Sequence, residues 1–97
     1  MRILAIEDFA GATNQGFGLA IGEAEMAVTL VDVKPLMPRM VPGARRAPFS
    51  LLFRSESQLV LPQQTYRLKH ADMGVLEIFL VPVARDTQGI VYEAVFN

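Results

Sequence analysis

Thr65-Tyr-Arg-Leu-Lys-His70, Val75-Leu-Glu-Ile-Phe-Leu-Val-Pro-Val83 and Ile90-Val-Tyr-Glu-Ala-Val-Phe96 are three apolar-rich runs set end to end. Two polar joints separate them, Ala71-Asp-Met-Gly74 and Ala84-Arg-Asp-Thr-Gln-Gly89. β-Branched and aromatic residues fill the runs and Gly and Asp mark the joints, which is the sequence form of successive β-hairpins. The C-terminal third therefore reads as a three-strand meander.

The same reading extends upstream. Phe17, Leu19 and Ile21 alternate with Gly18, Ala20 and Gly22, a period of two that marks a half-buried strand. Gly22-Glu-Ala-Glu25 supplies a turn, and Ala27-Val-Thr-Leu-Val-Asp-Val33 completes a first hairpin. Phe49-Ser-Leu-Leu-Phe-Arg54 is a further strand, with Phe49, Leu51 and Phe53 on one face. Near the N-terminus, Glu7-Asp-Phe-Ala-Gly11 fits one or two helical turns, because its carboxylates sit where the helix dipole favours them. The sum is a mainly β chain of about six antiparallel strands, a small barrel or half-open sandwich with a short N-terminal helix. No internal repeat is visible.

Ninety-seven residues make one domain, 1–97. A 52% hydrophobic fraction supports a real core and leaves apolar residues over, which points towards self-association. The absence of cysteine excludes disulfides and thiolate metal sites, and a single histidine cannot build a structural zinc site, so no metal or cofactor is expected. The apolar runs are too short for a membrane-spanning helix, and the acid-interrupted start Met1-Arg-Ile-Leu-Ala-Ile-Glu-Asp8 does not form a secretory signal. The expected location is the cytoplasm.

The net charge of −1 is unevenly spread. Lys34, Arg39, Arg45, Arg46 and Arg54 fall in a stretch without acids, whereas the flanking regions are acidic. Within it, residues 34–48 carry four prolines, which forbid a regular strand or helix and predict a loop or arm. Its cations could meet phosphates, yet no aromatic ring lies between Lys34 and Ala47 to stack bases, so nucleic acid is an unfavoured partner. Met37 and Met40 beside Leu36 and Val41 suit an adaptable protein contact instead. Lys34, Met37, Arg39, Met40, Arg45 and Arg46 are the arm's candidate contact residues.

A second candidate surface follows from the register of the meander. Pairing His70 with Val75 and Val83 with Ile90 collects Tyr66, Leu68, Phe79, Val81, Ile90, Tyr92 and Phe96 on one face, the predicted core. The other face then holds Leu76, Ile78 and Leu80, too apolar for solvent alone, and becomes a predicted partner-binding face.

Catalytic patterns are missing. His70 sits at a strand end with no evident nucleophile, the serines lie outside any Gly-x-Ser-x-Gly elbow, and Gln15-Gly-Phe-Gly18 lacks the context of a phosphate loop. Glu77 and Glu93, the strand carboxylates, point to opposite faces on the register above. The chain reads as a non-enzymatic interaction or assembly module with a protein partner or a second copy. The alternative is a barrel binding a small molecule through Tyr66, His70 and Tyr92 as polar handles in an apolar pocket. A nucleic-acid module using the arm is weaker.

Pro48-Phe-Ser-Leu-Leu-Phe-Arg54, Leu61-Pro-Gln-Gln-Thr-Tyr-Arg-Leu-Lys-His70, Gly74, Phe79-Leu-Val-Pro-Val83 and Tyr92-Glu-Ala-Val-Phe-Asn97 together resemble a family of short bacterial proteins catalogued as a domain of unknown function. Some of its members occur beside genes for phage-tail-collar-like proteins. The resemblance implies an accessory role in a tail-like assembly and supplies no catalytic residues.

Overall fold

The computed structural model describes residues 4–37 and 47–97. One helix, α1 (Ile6–Ala10), precedes six strands: β1 (Gly16–Ile21), β2 (Ala24–Pro35), β3 (Phe49–Ser55), β4 (Gln64–His70), β5 (Gly74–Asp86) and β6 (Gly89–Phe96). All neighbouring strands are antiparallel, and the sheet closes on itself in the order β1-β2-β3-β6-β5-β4. Closure leaves no open sheet edge, so of the two architectures predicted, the barrel is the one formed.

The pairing contains an approximate two-fold repeat that the sequence does not display. β1-β2-β3 and β4-β5-β6 are equivalent meanders, joined where β1 meets β4 and β3 meets β6. In each, the middle strand is long and changes neighbours partway. β2 pairs with β1 over Ala24–Thr29 and with β3 from Val28 onward, while β5 pairs with β4 up to Leu80 and with β6 from Val81. Each middle strand also carries a bulge, between Leu30 and Asp32 in β2 and between Pro82 and Ala84 in β5. A bulge bends its strand and sharpens the twist, which lets one strand turn the corner of so small a barrel. Pro82, beside its bulge, sits where a missing N–H disturbs the ladder least.

Alternate residues fill the interior: Phe17 and Leu19, Val28 and Leu30, Phe49, Leu51 and Phe53, Tyr66 and Leu68, Ile78 and Leu80, and Ile90, Tyr92 and Ala94. Phe17 meets Phe53 edge-on, with ring centroids 5.3 Å apart. The helix closes one end. Asp8 reaches back to accept the Ala5 N–H at 2.8 Å, and this single turn delivers Phe9 onto the stacked Phe49 and Phe96 rings. Towards the other end of β6, the β3–β4 connection brings Leu61 into the core beneath Tyr92.

Three expectations need correction, the first being the β5–β6 register: the bulge beside Pro82 pairs Ile90 with Arg85 and not with Val83, and Tyr92 with Pro82 and not with Val81. β2 runs through Lys34 to Pro35, opposite Ser50 and Phe49, so the first residues of the predicted arm are strand. A proline is tolerated there because it ends the ladder, and Leu36 N–H then donates to the Pro48 carbonyl at 3.0 Å, closing the root of the connection. The β4–β5 register is also one residue away from the predicted one. His70 pairs with Gly74, whose φ of +75° makes it part of the turn, and Leu68 faces Leu76 while Tyr66 faces Ile78. With a side-chain period of two, that slip exchanges the faces of β5.

Candidate functional site

The exchange of faces decides which surface is available. Ile78 and Leu80 are buried in the barrel and Leu76 packs against the core, so the predicted partner-binding face is interior. The outward row of β5 is Val75, Glu77, Phe79, Val81 and Val83. Val75 is 61% exposed, Phe79 52% and Val83 50%, and on β6 the outward Val95 is 51% exposed. Phe79 and Val81, predicted as core, thus belong to the outer surface. The sequence held a signal for the true register: it sets Arg67 opposite Glu77, a cross-strand pair of opposite charge whose Nε and Oε1 atoms lie 3.6 Å apart.

This row is flanked by charge. Lys69 lies beside Val75 and Arg67 beside Glu77 on β4, and Glu93 lies beside Val81 on β6. Glu77 and Glu93 both face outward, which corrects the prediction of opposite faces. Four residues of β5 separate their positions, roughly 13 Å at the rise of a strand, beyond the spacing of a glycosidase carboxylate pair.

The arm's candidates are only partly described. Lys34 is exposed on β2, and Met37, 84% exposed, stands at the root of the connection. Arg39, Met40, Arg45 and Arg46 lie outside the described residues.

Tyr66, His70 and Tyr92, the alternative polar handles, are all engaged inside the fold. Tyr92 hydroxyl oxygen accepts the Leu61 N–H at 3.0 Å and its proton is directed to the Leu59 carbonyl at 3.4 Å. The Tyr66 hydroxyl donates to the Pro62 carbonyl. His70 Nδ1 accepts the N–H groups of Asp72 and Met73, both at 3.2 Å, which fixes the proton on Nε2 for donation to Gln15 Oε1 at 2.6 Å. Its ring also lies 4.6 Å from that of Phe17. The three side chains pin the β3–β4 connection, the β4–β5 turn and the segment before β1 to the barrel, with their polar atoms bonded within the fold.

Burial pushes the Tyr66 hydroxyl above the ordinary phenol range, and Tyr92 adds to the rise. A group whose pKa is raised by folding contributes stability that is complete below its unfolded value and is lost as pH climbs through the folded one. Stability should therefore decline above about pH 10, and Tyr66→Phe should decline less steeply over the same window. Chemical denaturation at several alkaline pH values measures the difference, and identical slopes would remove Tyr66 as its source.

Sequence reasoning missed a polar cluster at the β5–β6 turn. Asp86 Oδ1 accepts Arg54 Nη1 at 2.9 Å and the Gln88 N–H at 2.8 Å, and Gln58 Nε2 donates to the Asp86 carbonyl at 3.1 Å. The Arg54 hydrogen bond, then that of Gln88, holds the Asp86 carboxyl below its usual range. Gln58, Arg85, Asp86 and Thr87 border a shallow, open depression. The ion pair and turn bonds give this cluster a structural role, legible only once β3 is known to lie beside β6. Among the described residues no three His, Cys, Asp or Glu side chains gather to hold a metal ion, and no helix is long and apolar enough to cross a membrane.

Comparison with curated proteins and with solved structures finds no match. A family model matches residues 4–96, which include every strand of the barrel, and the chain belongs to that family, described as "Domain of unknown function (DUF6916)".

Proposed function

We propose that this protein is a non-catalytic interaction module acting in the cytoplasm, and that it contacts its partner through the outer face of β5. The observation that carries this reading is a contrast between the two halves of the barrel. Matching Leu19 to Leu68 through the hairpin registers makes Glu25, Ala27 and Thr29 of β2 the equivalents of Val75, Glu77 and Phe79 of β5. The barrel thus accepts a polar or small residue at the outward positions where β5 carries Val75 and Phe79. Exposed valine and phenylalanine there gain nothing from the core, and clustered apolar surface is the mark of a contact site.

Met37 adds an adaptable apolar side chain at the root of the arm, and the arm's cations would steer a partner of opposite charge. A place in a tail-like assembly is the specific form of this proposal, drawn from the family resemblance. The small-ligand reading has less support because its three polar handles already hold the fold together.

Site-specific photo-crosslinking tests the reading. A photoreactive phenylalanine analogue at position 79, expressed in the native cells, should yield a discrete adduct heavier than the chain. The same group at position 23, in the β1–β2 turn, should not. Absence of any adduct from position 79 would overturn the proposal.

A further inference from the structure

The outward row of β5 has a charge layout that selects its occupant. Lys69 borders it on the β4 side at the Val75 end, and Glu93 borders it on the β6 side at the Val81 end. The two charges occupy opposite flanks and lie towards opposite ends, about 20 Å apart along the strand. Such a patch is complementary to itself.

Resting on the interaction reading above, we infer that the occupant is a second copy of this chain, packed face to face through β5 about a two-fold axis. An axis lying between the two sheets and crossing β5 over Ile78, midway between Val75 and Val81, carries Lys69 of each copy onto Glu93 of the other. The spacing of residues and strands sets the two copies of β5 at roughly 50° to each other, between the aligned angle of about 30° and the orthogonal packing of sheets. In that arrangement the two Phe79 rings meet on one side of the axis, the two Glu77 carboxylates, each neutralised by Arg67 of its own copy, face each other on the other side, and Val75 falls next to the second copy's Val95. The contact is isologous, so it closes at two copies. Arg67 and Glu77 remain paired within each copy across β4 and β5.

The inference differs from a general protein-binding role in predicting charge reciprocity. Sedimentation equilibrium of the intact chain should give a monomer–dimer equilibrium. Phe79→Glu should weaken it by about thirtyfold or more, the loss of one central hot-spot residue. Lys69→Glu and Glu93→Lys should each weaken it by about tenfold, and the double exchange should restore most of the loss, as coupled charges do. Circular dichroism confirms that each variant is folded, and all three positions lie on the outer face. A chain that stays monomeric at every concentration, or a dimer indifferent to Phe79→Glu, overturns the inference. So does a double exchange no better than the single changes. A monomer that still cross-links to a different protein from position 79 would refute the second copy and leave the interaction reading standing.

Discussion

Replacing Gly89 by alanine should remove a large share of the protein's folding free energy. Gly89 closes the β5–β6 hairpin opposite Asp86 with φ of +134°, a conformation that side chains rarely adopt. A Cβ built there would lie 1.7 Å from the Ser55 carbonyl oxygen and 2.8 Å from its carbon. Both are backbone atoms, at a point where β3 is held to β6 by the pairing of Ser55 with Ile90. No rotamer change can relieve the overlap, so either the hairpin or the end of β3 must move. Backbone strain alone costs about 1–3 kcal/mol, and displacing a paired strand brings the expected total to about 4 kcal/mol or more. Small domains hold only about 5–15 kcal/mol. The check is the urea midpoint of Gly89→Ala against that of Gly22→Ala. Gly22 also has positive φ, +57°, but its added Cβ meets nothing within 4 Å, so about 1–2 kcal/mol should suffice there. Equal losses at the two sites would mean that the approach of Ser55 is not what demands glycine.

The same residue shows what the sequence can and cannot tell. Gly89 and Gly74 mark turns by composition, and six strands with a short helix follow from such marks and from the alternation between them. Local chemistry does not set register. The turn between β4 and β5 consumes three residues where composition suggests four, and that one residue moved Ile78 and Leu80 inward and Phe79 outward. Every apolar residue on β5 fits either face, so alternation was silent, and only the Arg67–Glu77 pair distinguished the two choices.

The internal repeat was hidden for a related reason. Phe17-x-Leu19 and Met26-x-Val28-x-Leu30-Val31-x-Val33 correspond to Tyr66-x-Leu68 and Leu76-x-Ile78-x-Leu80-Val81-x-Val83. Such a pattern is what most strands look like, so similarity at these positions acquires meaning only when the pairing scheme superposes the two hairpins. Seen that way, the repeat does what a single sequence otherwise cannot. It supplies a second instance of the same fold position, and the difference between Thr29 and Phe79 is the ground on which the interaction role is proposed. The Arg54–Asp86 cluster and the bonds of Tyr92 depend on contacts between residues about 30 positions apart, which no local pattern records.

Phe9→Ala should be nearly as costly as the change at Gly89, by a different route. Phe9 is fully buried, with its ring centroid 5.9 Å from that of Phe49 and 5.8 Å from that of Phe96. Truncating a buried phenylalanine costs about 3–5 kcal/mol, part of it for the cavity left behind. A five-residue helix has no stability of its own, so Phe9 is what fastens α1 to the barrel. The Ala12 N–H, bonded to the Phe9 carbonyl at 2.9 Å, should then exchange almost as freely as in an unfolded chain. The Leu30 N–H, held by the Gln15 carbonyl at 3.1 Å where the chain enters β1, should lose only the protection that global stability accounts for. Phe9→Leu, which keeps most of the volume, should recover the greater part of both effects. If Ala12 and Leu30 instead lose protection in step, the helix unfolds with the barrel as one unit, and Phe9 belongs to the core that the strands enclose and not to a detachable plug.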